Sequence, residues 1–201
     1  TLDVELFLRG QRLADFTRDP QEGGYEIVRA LCEREPYLRR STVDKAENTI
    51  CEPLVSKYGG DFAIWNIVEV LSFGEFSKLY ELYYDRHPSP ESLVRLLGPI
   101  KALRNAGAHN NCMLHHLTWH GDKDFKPDRE VKSYLLRMTD IGPVECAKAM
   151  SYPIVHDITV LLYAFDRVVR DDDVKQESFH LLDRFLSRRA LRHRDYFASN
   201  E

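Results

Sequence analysis

Apolar residues recur along this chain at intervals of three and four, the repeat of a helix with one buried face. No alternating strand pair and no Asn-Gly or Asp-Gly hairpin turn interrupts that pattern. Glu22–Arg34 is expected to be helical, with Ile27, Val28 and Leu31 on one side, and Pro36 ends it. Ser41–Tyr58 is a second helix, capped by Ser41 or Thr42, kinked or broken at Pro53 and closed by Gly59-Gly60. Asp61 is expected to cap an almost wholly apolar helix carrying Ile64, Trp65, Ile67, Val68 and Leu71. Gly74 then gives a turn. Phe76–Tyr84 follows as a helix, with Leu79, Tyr80 and Tyr83 facing inward. The aromatic series Phe62, Trp65, Phe73, Tyr80 and Tyr83 reads as core packing.

Beyond the His87–Pro90 loop, Ser92–Leu97 is helical and Gly98-Pro99 breaks it. Pro99 suits the first turn of a further helix running from about Ile100 toward Trp119. Gly121–Pro127 is a polar loop. Helices follow at Asp128–Met138, at Val144–Arg170 with a kink or division at Pro153, and at Val174–Tyr196. Asp171–Asp173 separates the last two elements as a solvated cap. The expectation is an all-α bundle with short connections, spanning residues 1–201 as a single domain.

Composition narrows the function classes. The chain has 201 residues, is 43% hydrophobic and 30% charged, and carries a formal charge of −4, which excludes a globally basic nucleic-acid binder but not a local basic patch. The longest apolar run, Val160–Phe165, is far too short to span a bilayer, so no membrane partner is expected. Residues 1–16 mix Leu and Phe with five charged side chains, unlike a secretory leader. Cys32, Cys51, Cys112 and Cys146 are dispersed without a C-x-x-C. Such thiols fit the reducing cytoplasm better than a disulfide scaffold or a zinc site. Walker, G-x-S-x-G, H-E-x-x-H and G-x-G-x-x-G motifs are all missing.

The stretch with chemical content is P-I-K-A-L-R-N-A-G-A-H-N-N, Pro99–Asn111. Arg104 and His109 lie five steps apart, about 140° on a helix, so they share a groove rather than a face. Gly107 between them permits close approach of another backbone. Arginine suits phosphate through its planar, permanently charged fork, and histidine exchanges a proton near neutrality. The two suffice to cleave RNA without a metal. One removes the 2′-hydroxyl proton; the other stabilises the charged phosphorane.

Spacing alone is uninformative: with 19 arginines, eight histidines and four to six intervening residues allowed, chance gives about two such pairs, and the chain has two (Arg188 with His193 is the other). The surroundings are informative. Thirty residues between Glu91 and Asp122 contain no Asp or Glu, where the chain's average predicts about five. The same interval holds Arg95, Lys101, Arg104, Asn105, His109, Asn110, Asn111, His115, His116 and His120, a donor-rich set suited to a polyanion.

L-R-N-A-G-A-H-N resembles the R-N-x-x-A-H segment of HEPN-domain proteins, and more narrowly the Abi-like (abortive-infection) family of bacterial phage-defence proteins. Phe62–Tyr80 resembles that family's W-x-x-x-E-x-x-S-F-G-x-x-S-x-x-Y block, and Arg39–Asn48 is similar to it as well. The resemblance covers about residues 25–120, and residues 128–201 read as additional C-terminal helices. It implies an all-α HEPN-type bundle, a homodimer with one composite site across its axis, and metal-independent endoribonuclease activity of phage-defence or toxin type with no cofactor. On that basis Arg104 and His109 map onto the catalytic pair and Asn105 onto the polar position after the arginine. The chain departs from the family pattern after His109, where N-N-C-M-L-H-H-L replaces a run toward an R-L-W-N-like ending.

Several further residues belong to this expectation. Lys101 and Asn110 are candidate RNA contacts. Glu69 interrupts an apolar helix, where an unpaired carboxylate is costly, and is a candidate for orienting Arg104. His116 and His120 have a metal-ligand spacing but lack a completing set, and no metal site is assigned. Arg184–Arg194 carries five arginines and no acid. Its stripe Arg184, Arg188 and Arg192 either tracks an RNA backbone or is a solvated face. The alternative to catalysis is a HEPN module without turnover that binds RNA or a regulatory protein, such as a toxin–antitoxin component.

Overall fold

The computed structural model describes residues 4–10, 24–44, 51–59, 61–109, 111, 125–193 and 195. The chain is all-α, and no strand occurs among the described residues. It falls into two compact units, residues 5–97 and residues 98–201 with residues 1–4.

The first unit begins with helix α1 (residues 4–10), followed by α2 (Glu26–Arg34), α3 (Tyr37–Asp44), α4 (Glu52–Tyr58), α5 (Ile64–Val70) and α6 (Phe73–Arg86). Helix α2 buries Ile27, Val28 and Leu31, the three positions its spacing predicts, and packs against α3, α5 and α6. Pro36 does not merely end α2: α3 restarts at the next residue, so Ser41 and Thr42 lie within α3 instead of capping a new helix. Pro53 occupies the first turn of α4, where its missing N–H costs nothing, instead of kinking a longer helix. Gly59 closes α4 with φ of 57°, a left-handed cap that a side chain would strain, and donates its N–H to the Val55 carbonyl.

Two further expectations are corrected here. Asp61 does not cap α5; that position is Ala63, and Asp61 instead pairs with Arg29 at 3.1 Å. Trp65 is not core. It is 47% exposed, set edge-on against Tyr25 and over Gly24, where an added Cβ would lie 2.7 Å from the indole. Phe62, Phe73 and Tyr80 are buried as expected, and Tyr83 is half-buried.

The corner between α5 and α6 falls at Leu71–Ser72, three residues before the expected turn at Gly74. Ser72 accepts from the Glu75 N–H at 3.3 Å while the Glu75 carboxylate accepts from the Ser72 N–H at 2.7 Å, a reciprocal capping box that starts α6. Gly74 therefore sits inside the helix. Arg9 of α1 closes the other side of the corner. Its guanidinium donates to the Val68 and Leu71 carbonyls, the orphan acceptors at the C-terminus of α5, and pairs with Glu5 at 2.6 Å. It also lies over the Phe76 ring, 5.1 Å from its centroid. Phe76 in turn belongs to a ladder along α6: Phe73, Phe76, Tyr80, Tyr84. The Leu93 N–H donates to the Tyr80 hydroxyl, which fastens the segment after α6 and the short 3-10 turn Val94–Leu96.

The second unit contains α7 (Leu97–Ala108), α8 (Arg129–Met138), α9 (Pro143–Met150), α10 (Pro153–Val168) and α11 (Asp172–Arg184). The divisions at Gly142-Pro143 and Pro153 place each proline in a first helical turn, and Asp128 and Asp171 cap α8 and α11. Helices α8, α9 and α10 pack mutually around Val131, Tyr134, Cys146, Met150, Val160 and Tyr163. Helix α11 continues into a π-helical segment, Phe185–Ala190.

Replacing Arg9 with Met leaves Glu5 and two helix-end carbonyls without their donor and should cost about 3 kcal/mol, read as a lowered urea midpoint. Ser72→Ala should cost about 1 kcal/mol in the same assay. Equal midpoints for wild type and Arg9→Met would show that the corner holds without the guanidinium.

Candidate functional site

Helix α7 buries Leu97, Ile100 and Leu103 on its inner side. Its remaining surface presents Lys101, Arg104, Asn105 and Ala108, and His109 follows directly at its end. Lys101, Asn105 and His109 stand at i, i+4 and i+8, one row that drifts about 40° per step, while Arg104 flanks Lys101 about 60° to the other side. Lys101 and His109 are exposed; Arg104 and Asn105 are half-buried. The expected continuation toward Trp119 is not observed: α7 ends at Ala108. The His109 N–H still reaches the Asn105 carbonyl at 3.0 Å, and the Asn111 N–H reaches back to Ala106 at 2.9 Å, a six-residue closure of the Schellman type. His109 is thus held at a helix terminus, with its ring in solvent. Asn110, His115, His116 and His120 lie outside the described residues.

Gly107 is exposed, and an added Cβ there would meet nothing within 4 Å among the described residues. The described residues thus leave open space at Gly107. Glu69 lies on the exposed side of α5 while its neighbours Ile67, Val68 and Val70 are buried. The desolvation cost inferred from its apolar surroundings in sequence is therefore not incurred. Arg184, Arg188 and Arg192 are all exposed, but Phe185, Leu186 and Leu191 stand exposed among them.

Three other groups of polar residues were not signalled by sequence spacing. Buried His156 sits edge-on to Phe125, its Nδ1 3.0 Å from the Asp157 carboxylate, and its Nε2 accepts the Asp128 backbone N–H at 3.3 Å. A backbone N–H only donates, so Nε2 carries the lone pair and the ring proton resides on Nδ1, facing Asp157. This arrangement anchors the start of α8 to α10. In the second group Tyr163 donates to Glu130, and Arg167 bonds to both Glu130, at 2.8 Å, and the Tyr163 oxygen, at 2.7 Å. Burial pushes the Tyr163 phenol up, and its bond to Glu130 adds to that, against Arg167. It stays a donor at neutral pH and is no general base.

The third is a cavity of about 490 Å³ in the first unit, lined in part by Arg29, Cys32, Glu33, Arg39 and Asp61. Its two cations are matched by two carboxylates, so it has no sign to draw a polyanion. Burial raises the Cys32 thiol, opposed by Arg39. Among the described residues no cluster of three or more His, Cys, Asp or Glu is placed to hold a metal, and no helix is long and apolar enough to cross a membrane.

These features define an all-α protein in which a helix inside an acid-free, donor-rich stretch ends at an exposed histidine. The chain belongs to the Abi-like protein family, whose match runs over residues 2–115 and so includes the Arg104–His109 segment. The family ties it in general terms to abortive infection, a phage-defence response. No curated protein and no solved structure matches the chain.

Gly107→Ala removes a glycine from the last turn of α7 without a clash among the described residues and should stabilise the chain by up to about 0.5 kcal/mol. If a second molecule uses the open space, the same variant loses affinity or activity while gaining stability; a gain in both would show that nothing approaches there. Cys32, protonated at pH 7, should react with iodoacetamide more slowly than free glutathione, with a rate still climbing above the ordinary thiol value of about 8.5. Mass spectrometry of the alkylated peptide reads both rates, and parity with glutathione at pH 7 would contradict the burial argument.

Proposed function

We propose that the protein is a metal-independent endoribonuclease acting in phage defence or as a toxin, with a HEPN-type composite site formed by two copies of the chain in the cytoplasm. The observation that carries this reading is the end of α7. There Arg104, Asn105 and His109 follow one another along the last turns of one helix, in a stretch without anions, inside the span matched by the Abi-like family.

The chemistry follows from the side chains. His109 of one copy takes the proton of the RNA 2′-hydroxyl, whose oxygen attacks the adjacent phosphorus. The P–O5′ bond breaks, and the leaving oxygen receives a proton from the imidazolium of the second copy or from water. Arg104 binds the non-bridging oxygens through its fork and stabilises the extra charge they gain in the phosphorane. Asn105 positions one of the two, and Lys101 and Asn110 contact the flanking backbone. The products carry a 2′,3′-cyclic phosphate and a free 5′-hydroxyl. A regulatory protein that silences the enzyme belongs to the same reading.

Incubating purified protein with total RNA and tRNA in EDTA tests it. Wild type should cut. His109→Ala and Arg104→Ala should each lose at least about 100-fold in rate while keeping the wild-type helical signal. RNA bound but uncut would move the protein to a binding module. Cleavage that EDTA abolishes, or that both variants retain, would end the proposed mechanism.

A further inference from the structure

Helix α2 turns one side to the core and another to the cavity of the first unit. Arg29, Cys32 and Glu33 line that cavity from α2, Arg39 lines it from α3, and Asp61 from the residues after α4. Its volume of about 490 Å³ is that of a small-molecule site. Two of its charges are committed to each other, since Arg29 pairs with Asp61 at 3.1 Å. The other two are not. Among the described residues Glu33 and Arg39 make no ion pair, either with each other or with a third side chain. Arg39 stands close enough to Cys32 to oppose the effect of burial on the thiol, which sets the guanidinium beside the half-buried part of the cavity.

The same side of α2 continues past Arg29 to Tyr25. That residue lies one turn earlier, about 40° around the axis from Arg29 and about 20° from Cys32. Trp65 meets Tyr25 edge-on, with ring centroids 6.4 Å apart and planes at 77°. Part of the indole covers Gly24, yet Trp65 is 47% and Tyr25 39% exposed. The pair forms a corner with two aromatic walls. From Tyr25 to Glu33 this side of the helix runs about 12 Å.

Three chemistries therefore follow one another along one helix. An aromatic face accepts a stacked base of any kind. A carboxylate accepts from ribose hydroxyls, as the acidic residue of dinucleotide folds does. An uncommitted guanidinium takes phosphate through its planar fork. A nucleoside monophosphate carries all three groups in that order. A longer strand is disfavoured, because one uncommitted cation stands beside one uncommitted carboxylate and further phosphates find no counter-charge. An amino acid would match the charges but leave the aromatic corner unused.

We propose that this cavity and the Tyr25–Trp65 corner bind a free nucleoside monophosphate, with its base against Trp65, its ribose hydroxyls on Glu33 and its phosphate on Arg39. The site uses residues of the first unit alone and none of α7, so it stands apart from RNA cleavage.

Calorimetry with AMP as the probe, and adenosine as its phosphate-free control, tests it. AMP should bind at least about ten-fold more tightly than adenosine. R39M should erase that difference and leave adenosine binding as it was. W65A should weaken both ligands by about ten-fold. E33Q should weaken AMP but not its 2′,3′-dideoxy analogue. All three side chains are exposed, so each variant should keep the wild-type helical signal. Saturating AMP should slow alkylation of Cys32 by iodoacetamide several-fold and leave Cys51, outside the cavity lining, unchanged. R104A/H109A should bind AMP as wild type does, which separates this site from the end of α7. No AMP binding at about 1 mM, binding indifferent to R39M and W65A, or binding lost in R104A/H109A overturns the proposal. So does a short oligoadenylate that protects Cys32 of R104A/H109A at lower concentration than AMP, since a strand would then be the ligand.

Discussion

The turn from α5 into α6 rests on one guanidinium. A seven-residue helix made mostly of β-branched residues ends in an extended leucine, and its last carbonyls would be left without donors in a half-buried corner. Arg9 supplies those donors from a helix more than fifty residues earlier in the chain and is itself balanced by Glu5. The long separation means the corner closes only after distant segments meet, so the contact carries loop-closure entropy that a local cap would not. The Ser72–Glu75 capping box is the local half of the same device. Together they fix the direction of α6, whose aromatic ladder orders the segment at Leu93 that precedes α7.

The end of α7 obeys the opposite logic. Where the α5–α6 corner commits Arg9, Glu5, Ser72 and Glu75 to helix ends, the end of α7 holds an exposed His109 near a glycine that adds no bulk. Leu97, Ile100 and Leu103 hold the helix down, while Lys101 and His109 face solvent. His109, directly after the last residue of α7, has its backbone held by the bond from its N–H to the Asn105 carbonyl.

Legibility in the sequence followed how local each determinant is. The all-α class, the buried face of α2, the burial of Leu79 and Tyr80 on α6, the cap in Asp171–Asp173 and the breaks at Pro143 and Pro153 come from local spacing and residue type, and were readable. Trp65 was misread because its partner, the backbone at Gly24, is forty residues distant and period alone cannot distinguish a core aromatic from one laid over a glycine. The exposure of Glu69 was hidden for a related reason: a short helix buries most of its circumference yet leaves one narrow exposed strip. Asp61 looked like a cap because Asp commonly is one, but an ion pair with Arg29 competes for it. For the site, the missing anions and the R-N-x-x-A-H segment were visible from composition and motif. The exposure of Phe185, Leu186 and Leu191 was not, because helical spacing shows which residues share a face and not whether anything covers them.

His156 has a consequence of another kind. Its proton position is dictated by a backbone N–H that cannot reverse its role, so one nitrogen of the ring is fixed as acceptor for as long as the start of α8 is docked. The two ring nitrogens then resonate at well-separated frequencies, and undocking of residues 125–128 would let the tautomers average. The ring is a built-in spectroscopic marker for the integrity of this unit, readable by nitrogen NMR without a label attached to the protein surface.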